Sequence, residues 1–303
     1  MLTARLIASL LGSAILNLNM TTCHSPAEID KVPEPESVPP RQVKLPEVKT
    51  DDLSPREKAQ WSSHVSELLA PCKKVPVSLA TCIGEKRACA ACLPAAKFLA
   101  TQVREGKTRT QVDLAYKERF SPESVVEIDI AGSPVKGAPH APITIVEWAD
   151  FECPACRAAS PALDKLVQEN KDIRLVFKNF PLSSHEHAER AARAAMAADR
   201  QGKFWQMHKA LFSSEMPLTE NTLNGFAKSL GLDMTQFKKD IRSDAIADAV
   251  ARDRKEGEKV KLRATPTIFI NGRSFSYSTD LELGLKQWIA LEREVTKSPA
   301  KKP

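Results

Sequence analysis

Two cysteines separated by only two residues are the part of this sequence best suited to chemistry. They form Cys153-Pro154-Ala155-Cys156, inside the stretch EWADFECPACRAASPALDKL. Such a pair can complete a zinc site, close a structural disulfide, or exchange disulfides with other thiols. Cys89 and Cys92 could supply the second half of a zinc site in principle, but nothing in the sequence brings the pairs together. A disulfide closing so short a loop stabilises little, so thiol–disulfide exchange explains the pair best.

The pair stands at the start of a predicted helix, which gives each cysteine a different role. The apolar side chains that follow share one helical face, namely Ala158, Ala159, Ala162, Leu163, Leu166 and Val167. Free amide hydrogens at a helix start favour a thiolate, and Pro154 suits the first helical position because it has no N–H to leave unpaired. We predict that Cys153 is the exposed, activated nucleophile and that Cys156 resolves the mixed disulfide.

Strands and helices alternate around the pair, which predicts an α/β layered domain. The predicted strands are VVEIDI at 125–130, ITIVEW at 143–148, IRLVFKNF at 173–180, TPTIFING at 265–272 and RSFSYS at 273–278, with a turn at 132–142. An all-helical stretch over about 184–260 interrupts them. A final helix closes the domain and is predicted to turn Leu281, Leu285, Trp288 and Ile289 inward.

Five segments of this region, taken in order, resemble the DsbA-type branch of the thioredoxin superfamily. They are APITIVEWADFECPACRAASPALDKL, RLVFKNFPL with His185 and the Ala-rich helix, QGKFWQMHKALF, LGLD and ATPTIFINGR, and the resemblance covers about 125–294. It implies a thioredoxin fold with a helical insertion. It also implies thiol–disulfide exchange on exported proteins, for which we expect no cofactor and no metal ion.

The resemblance also assigns roles to individual residues. It makes Cys153 and Cys156 the redox pair, Pro266 a cis-proline that binds substrate backbone, and Thr265 a residue that tunes the site. Glu147 corresponds to a buried acid that shuttles protons to the resolving cysteine. As an alternative it is an exposed strand residue, but its place in the apolar run ITIVEWADF favours burial, which would raise its pKa.

Three further positions are compared with the family pattern. His185 and His208 match it, and we expect both to cap helices or pack rather than to take part in exchange. Strong oxidants of this family carry a histidine where this chain has Ala155. That histidine helps to stabilise the thiolate, so its absence should make the disulfide less oxidising.

Four more cysteines, Cys72, Cys82, Cys89 and Cys92, lie in a predicted small helical domain over 54–120. Ser54-Pro55-Arg56-Glu57 has the capping residues of a helix start. The segment 86–120 is similar to the CcmH-type thiol-reductase domain of cytochrome c maturation. Either two structural disulfides staple this domain, with the close spacing of Cys72 and Cys82 suggesting one of them, or Cys89 and Cys92 relay electrons to or from Cys153.

The N-terminus predicts export. One arginine precedes an apolar run at 6–18, which is short for a membrane span and suits a secretory signal, and Cys23 resembles a lipoprotein processing site although Thr22 is not the preferred small residue. Plain cleavage stays the alternative to lipidation. Setting Cys23 aside leaves six cysteines that can pair, as an oxidising compartment allows.

Seven of the 21 prolines lie at 26–55, so 24–53 is predicted to be a disordered tether.

The formal net charge of +6 does not indicate nucleic-acid binding. No aromatic residues interleave with the basic ones at 252–261 or in the tail at 297–303, as single-strand binding would need. The expected partners are exported protein substrates and a membrane redox partner that recharges the pair. Two alternatives stay open: a lipoprotein scaffold whose disulfides are purely structural, and a dedicated reductase for cytochrome c maturation.

Overall fold

The computed structural model describes residues 42–276 and 280–297, which belong to one compact unit. The predicted signal, Cys23, the tether up to residue 41 and the tail from 298 lie outside the described residues. Among the residues that are described, no helix combines the length and the apolar character needed to cross a membrane.

A mixed five-stranded sheet carries the site. Its strands are β1 (Val135–Gly137), β2 (Ile143–Ala149), β3 (Ile173–Asn179), β4 (Thr267–Ile270) and β5 (Arg273–Phe275), in the order β1-β3-β2-β4-β5. β2 and β3 run parallel and the other pairings are antiparallel. The predicted α/β class is confirmed.

Helices cover both faces of the sheet. α5 (Pro154–Glu169) connects the parallel strands β2 and β3. The insertion between β3 and β4 holds α6 (Ala188–Asp199), α7 (Phe204–Phe212), α8 (Glu220–Ser229), α9 (Met234–Asp240) and α10 (Asp244–Lys259), and α11 (Leu281–Lys297) follows β5. On one face, Ile143 and Ile145 pack with α5 and α11; on the other, Val146 and Trp148 form a separate buried cluster.

Two predictions at the start of the domain were wrong. Residues 125–130 form no strand: the segment makes one isolated bridge, Val125 to Arg273, although Val126, Ile128 and Ile130 pack against the sheet. Alternation of apolar residues indicates which side of a segment is buried. Here one side packs against the sheet, but the segment does not form the ladder of hydrogen bonds that defines a strand. Strand β1 instead lies inside the predicted turn at 132–142.

The N-terminal region is helical, as expected. It holds α1 (Pro55–Glu67), α2 (Leu79–Gly84), α3 (Cys92–Arg104) and α4 (Arg109–Phe120). Ser54 and Glu57 form the predicted capping box. The suggested pairing of Cys72 with Cys82 was wrong, because the disulfides join Cys72 to Cys89 and Cys82 to Cys92. Sequence spacing does not show how the turn before α3 folds back onto α2.

The predicted tether is too long at its C-terminal end. Leu45, Val48 and Leu53 are buried in the same cluster as Trp61 and Val65 of α1. Three apolar side chains are enough to hold this proline-rich segment against the helical region, because the helices already provide an apolar surface.

The N-terminal helical region and helix α11 share a buried ionic contact. Arg119 at the end of α4 pairs with Glu292 of α11 at 2.7 Å, and both side chains are buried. The Arg119 guanidinium lies 4.1 Å from the centre of the Trp288 ring, and Asn271 donates a hydrogen bond to the second Glu292 oxygen at 2.9 Å. The two predicted domains therefore form one packed unit.

Candidate active site

A tight turn delivers Cys153 from strand β2 to helix α5. The Asp150 side chain accepts the Glu152 N–H at 2.8 Å, which forms an Asx-turn, and the Cys153 N–H donates to the Asp150 carbonyl at 3.1 Å. Cys153 is the N-cap of α5 and Pro154 is its first residue. The predicted helix start at the pair is confirmed.

Cys153 and Cys156 are free thiols in this structure. The expectation that Cys153 is exposed was wrong: only 7% of it is accessible, against none of Cys156. The loop before β4 covers it, because the Cys153 thiol donates to the Thr265 carbonyl at 3.3 Å. The small remaining access lies at Cys153, and the neighbouring Pro154 and Ala155 are exposed.

The loop that faces the pair contains a cis peptide bond between Thr265 and Pro266, as the family resemblance implied. Thr265 is buried and Pro266 is half-buried. This loop thus places the Thr265 carbonyl at the sulfur of Cys153, and the proline ring of Pro266 follows Thr265 in the chain.

Glu147 is buried in the centre of the sheet. It lies on β2 opposite Phe177 of β3 and Ile268 of β4, is 1% accessible, and neither carboxyl oxygen has a hydrogen-bond partner. Burial, with a smaller contribution from the negative charge of Asp164, raises the pKa of Glu147 to about 8. The carboxyl group is therefore mostly protonated at neutral pH and can give up or take a proton near that pH.

Cys156 is held as a thiol by its surroundings. Burial raises its pKa most strongly, and the charges of Glu147 and Cys153 act in the same direction, whereas the Asp150 backbone and the Thr265 side chain lower it. Formation of a thiolate at Cys156 therefore needs a group that accepts the thiol proton. Once the thiolate has formed, it needs a group that donates a proton. Glu147 is a buried carboxyl group close enough to affect it.

Asp150 is a site residue that the sequence reasoning missed. It is 1% accessible, and besides the turn it accepts the Leu182 N–H at 2.8 Å and lies 2.8 Å from Nδ1 of His185. His185 therefore braces the turn before Cys153 rather than capping a helix. The available signal was an aspartate three residues before the first cysteine, at the end of a strand, where Asx-turns form.

His208 packs, as predicted. It is 1% accessible, and neither ring nitrogen has a hydrogen-bond partner. Five aromatic rings surround it with centroids 4.8 to 6.0 Å away, namely Phe151, Phe177, Phe204, Trp205 and Phe212. Burial lowers the pKa of His208 to about 4, so the ring is neutral at pH 7.

The N-terminal cysteines do not join this site. Cys89 and Cys92 are bonded to Cys72 and Cys82, so neither is available to form a zinc site with Cys153. The arrangement around Cys153 contains what disulfide exchange needs: a slightly accessible cysteine at a helix start, a buried second cysteine, and a buried acid with a pKa near 8.

Comparison with known proteins gives one family match. A model of the thioredoxin family matches residues 130–289. This range contains Cys153, Cys156, Glu147 and Pro266. The resemblance of segment 86–120 to the CcmH type lies outside it and stays a prediction.

Two solved structures share the fold. A thioredoxin-like oxidoreductase from Silicibacter pomeroyi DSS-3 is 27% identical with a TM-score of 0.50, covering 54% of this chain and 94% of that one. Oxidised BdbD from Bacillus subtilis is 25% identical with a TM-score of 0.50, covering 57% and 97%. The similarity therefore extends over nearly all of both solved proteins.

Curated relatives are much longer. The Na(+)/H(+) antiporter NhaA 1 of Salinispora arenicola is 37% identical over 159 residues, which are 52% of this chain and 24% of the antiporter. An antiporter of the same name from Mycolicibacterium vanbaalenii is 39% identical over 142 residues, or 46% and 23%. This chain spans about a quarter of the length of these relatives, so their ion transport is not transferred to it.

Proposed function

Because this chain belongs to the thioredoxin family, as a DsbA-type member, we propose that it exchanges disulfides with exported proteins through Cys153 and Cys156. One observation carries the proposal. A cysteine at the cap of α5 keeps a small accessible surface, while its partner is fully buried and electrostatically coupled to the unpartnered acid Glu147. A purely structural pair would need neither the access nor the acid.

In the oxidising direction the pair begins as a disulfide. A substrate thiolate attacks the Cys153 sulfur, a mixed disulfide forms, and Cys156 leaves as a thiolate. A second substrate thiolate then attacks its partner sulfur in the mixed disulfide and Cys153 leaves. The substrate gains a disulfide, and the pair takes up two electrons. In the reducing direction the same bonds form and break in reverse order.

Glu147 supplies the proton that this reaction needs inside the protein. A thiolate newly formed at buried Cys156 is unfavourable, and the protonated Glu147 carboxyl can neutralise it. In the reducing direction Glu147 accepts the Cys156 proton as that sulfur attacks the mixed disulfide. A donor with a pKa of about 8 is suited to both directions near neutral pH.

Trapping of the mixed disulfide tests the exchange. Cys156→Ser is first converted to a mixed disulfide between Cys153 and glutathione. The thiolate of a reduced, unfolded substrate protein should then attack the Cys153 sulfur and displace glutathione, and the covalent complex should accumulate. Cys153→Ser, the matched control, should give no such complex because Cys156 is inaccessible. Insulin reduction and oxidative refolding then measure turnover, and a wild-type protein inert in both assays would favour the scaffold alternative.

We also propose that the chain works in the bacterial cell envelope, attached by a lipid at Cys23 and recharged by a membrane redox partner. The apolar run followed by a cysteine supports this, as does a chain with two disulfides, which persist in oxidising compartments. In labelled cells a fatty acid should be incorporated into the wild-type protein. Cys23→Ala should lose the label and move to the soluble fraction.

The direction of exchange depends on the reduction potential of the pair. Ala155 is exposed beside Cys153 and has no side-chain donor or charge to stabilise a thiolate. This observation favours the hypothesis that the protein is a reductase, including a dedicated reductase for cytochrome c maturation. A measured potential near the thioredoxin value of roughly −270 mV supports reduction, and one near roughly −120 mV supports oxidation.

A further inference from the structure

The two disulfides of the N-terminal region lie side by side. One joins Cys72 to Cys89 and the other joins Cys82 to Cys92. The Sγ atoms of Cys82, Cys89 and Cys92 all lie within 4.8 Å of one another. Sulfurs of two different disulfides are therefore within reach of each other with little movement of side chains.

Access from solvent differs between the two bonds. Cys82 and Cys92 are 1% and 2% accessible, and Cys89 is 7% accessible, whereas Cys72 is half-buried. The exposed Lys73 follows Cys72 directly, and a positive charge favours approach of a thiolate. An external thiolate can therefore reach Cys72, but it cannot reach the Cys82–Cys92 bond directly.

The backbone also permits a third pairing. The Cys92 N–H donates to the Cys89 carbonyl at 3.2 Å, which closes a tight turn immediately before α3. Residues at the two ends of such a turn have Cα atoms less than about 7 Å apart, and disulfides span roughly 4.4–6.8 Å. Cys89 and Cys92 can therefore bond to each other without a rearrangement of the backbone.

We propose that these four cysteines form a second thiol–disulfide exchange centre, which alternates between two sets of disulfides. In the oxidised set the bonds are Cys72–Cys89 and Cys82–Cys92. In the set that holds two more electrons the single bond is Cys89–Cys92, and Cys72 and Cys82 are thiols. The reactant is an external dithiol, and the centre does not require Cys153 or Cys156.

The first step admits the electrons. One thiolate of the external dithiol bonds to the Cys72 sulfur, the Cys72–Cys89 bond breaks, and Cys89 leaves as a thiolate. The second external thiol resolves this mixed disulfide, so the external dithiol is oxidised to a disulfide, and its two protons remain with the reduced cysteines.

The second step moves the bond inward. The Cys89 thiolate bonds to the Cys92 sulfur, the Cys82–Cys92 bond breaks, and Cys82 leaves as a thiolate that takes up a proton. No electrons enter or leave in this step. The buried Cys82–Cys92 bond is thus broken by the neighbouring Cys89 thiolate and not by a thiolate from solvent. For this step the short distances between the sulfur atoms are therefore more important than solvent access.

Two single substitutions test the exchange in the full chain without any reductant. Both are made with Cys23→Ser, Cys153→Ser and Cys156→Ser so that only Cys72, Cys82, Cys89 and Cys92 can react. Cys72→Ser leaves a free Cys89 inside the cluster, and we expect the thiol reagent to label mainly Cys82. Cys89→Ser leaves a free Cys72, whose sulfur is not among the three clustered atoms, and we expect label on Cys72 alone.

Peptide mapping separates the outcomes. Trypsin places Cys72 and Cys82 on different peptides and leaves Cys89 and Cys92 together on ACAACLPAAK. Exchange predicts an internally bonded ACAACLPAAK peptide in the Cys72→Ser protein. Label on Cys89 with the Cys82–Cys92 bond intact overturns the proposal, and so does scrambled label in the Cys89→Ser protein.

A measurement without cysteine changes in the N-terminal region covers the case in which these variants do not fold. The protein with Cys23→Ser, Cys153→Ser and Cys156→Ser is treated with one equivalent of dithiothreitol, quenched in acid and labelled. A two-electron species labelled on Cys72 and Cys82 supports the proposal. Label on Cys72 and Cys89, or label appearing on all four cysteines at once, overturns it.

Discussion

Replacing Glu147 by glutamine should remove a pH dependence of folding stability that the wild-type protein carries. The side chain is fully buried, has no hydrogen-bond partner, and has a pKa of about 8, against 4.5 for an unperturbed glutamate. The folded chain therefore binds this proton more tightly than the unfolded chain. The stabilisation is complete below pH 4.5 and is lost as the pH rises to about 8.

The size of the effect follows from the two pKa values. Each unit of difference is worth about 1.4 kcal/mol, and the interval from 4.5 to about 8 spans roughly 3.5 units. The wild-type protein should thus lose about 5 kcal/mol of unfolding free energy across this interval through Glu147 alone. Glutamine is nearly the same size and does not titrate, so Glu147→Gln should lose none of it.

Urea unfolding at pH 5.5, 6.5 and 7.5 measures the difference between the two proteins. Both carry Cys153→Ser and Cys156→Ser, so that neither thiol of the redox pair titrates, and all other ionisable groups are shared and cancel. The unfolding free energy of Glu147→Gln should rise relative to wild type by about 1.4 kcal/mol per pH unit. Parallel pH profiles would refute the assignment of a raised pKa to Glu147.

Three further outcomes are expected. Ala155→His should raise the reduction potential of the Cys153–Cys156 pair, measured against glutathione buffers, by about 30 mV for each tenfold change in the exchange equilibrium; an unchanged potential contradicts the role given to this position. Arg119→Met should lower the unfolding free energy by about 3–5 kcal/mol because Glu292 stays buried without its counter-ion, and adding Glu292→Gln should restore part of the loss. His208 is buried with a pKa of about 4 against 6.5 when unperturbed. Its contribution to the unfolding free energy is therefore complete above pH 6.5 and is lost as the pH falls to about 4. His208→Phe should therefore lose about 3 kcal/mol less than wild type between pH 7 and pH 4, and equal losses in chemical denaturation would show that the ring is not held neutral.

Features encoded within a few residues were predictable from the sequence. The capping box at Ser54 and Glu57 and the proline at the first position of α5 need only their own turn of helix. Burial of Glu147 followed from its place in an apolar run. The cis bond at Pro266 came from the family resemblance, because the local sequence does not distinguish it from a trans bond.

Features that depend on distant partners were not predictable in the same way. Asp150 receives its hydrogen bonds from Leu182 and His185, which lie 32 and 35 residues further along the chain. The access of Cys153 is set by the carbonyl of Thr265, which is 112 residues away. The local pattern around the cysteines contains no information about either contact, so both required the folded structure.

The pair of Arg119 and Glu292 has a consequence for how the chain can be divided. The arginine belongs to the helical region and the glutamate belongs to the thioredoxin part, which a boundary near residue 120 would separate. A fragment starting there would leave the Glu292 carboxylate without its Arg119 counter-ion and would expose the face of Trp288 that the guanidinium covers. The two halves should therefore melt together, as a single calorimetric transition of the intact chain, and neither half should retain the thermal stability of the whole.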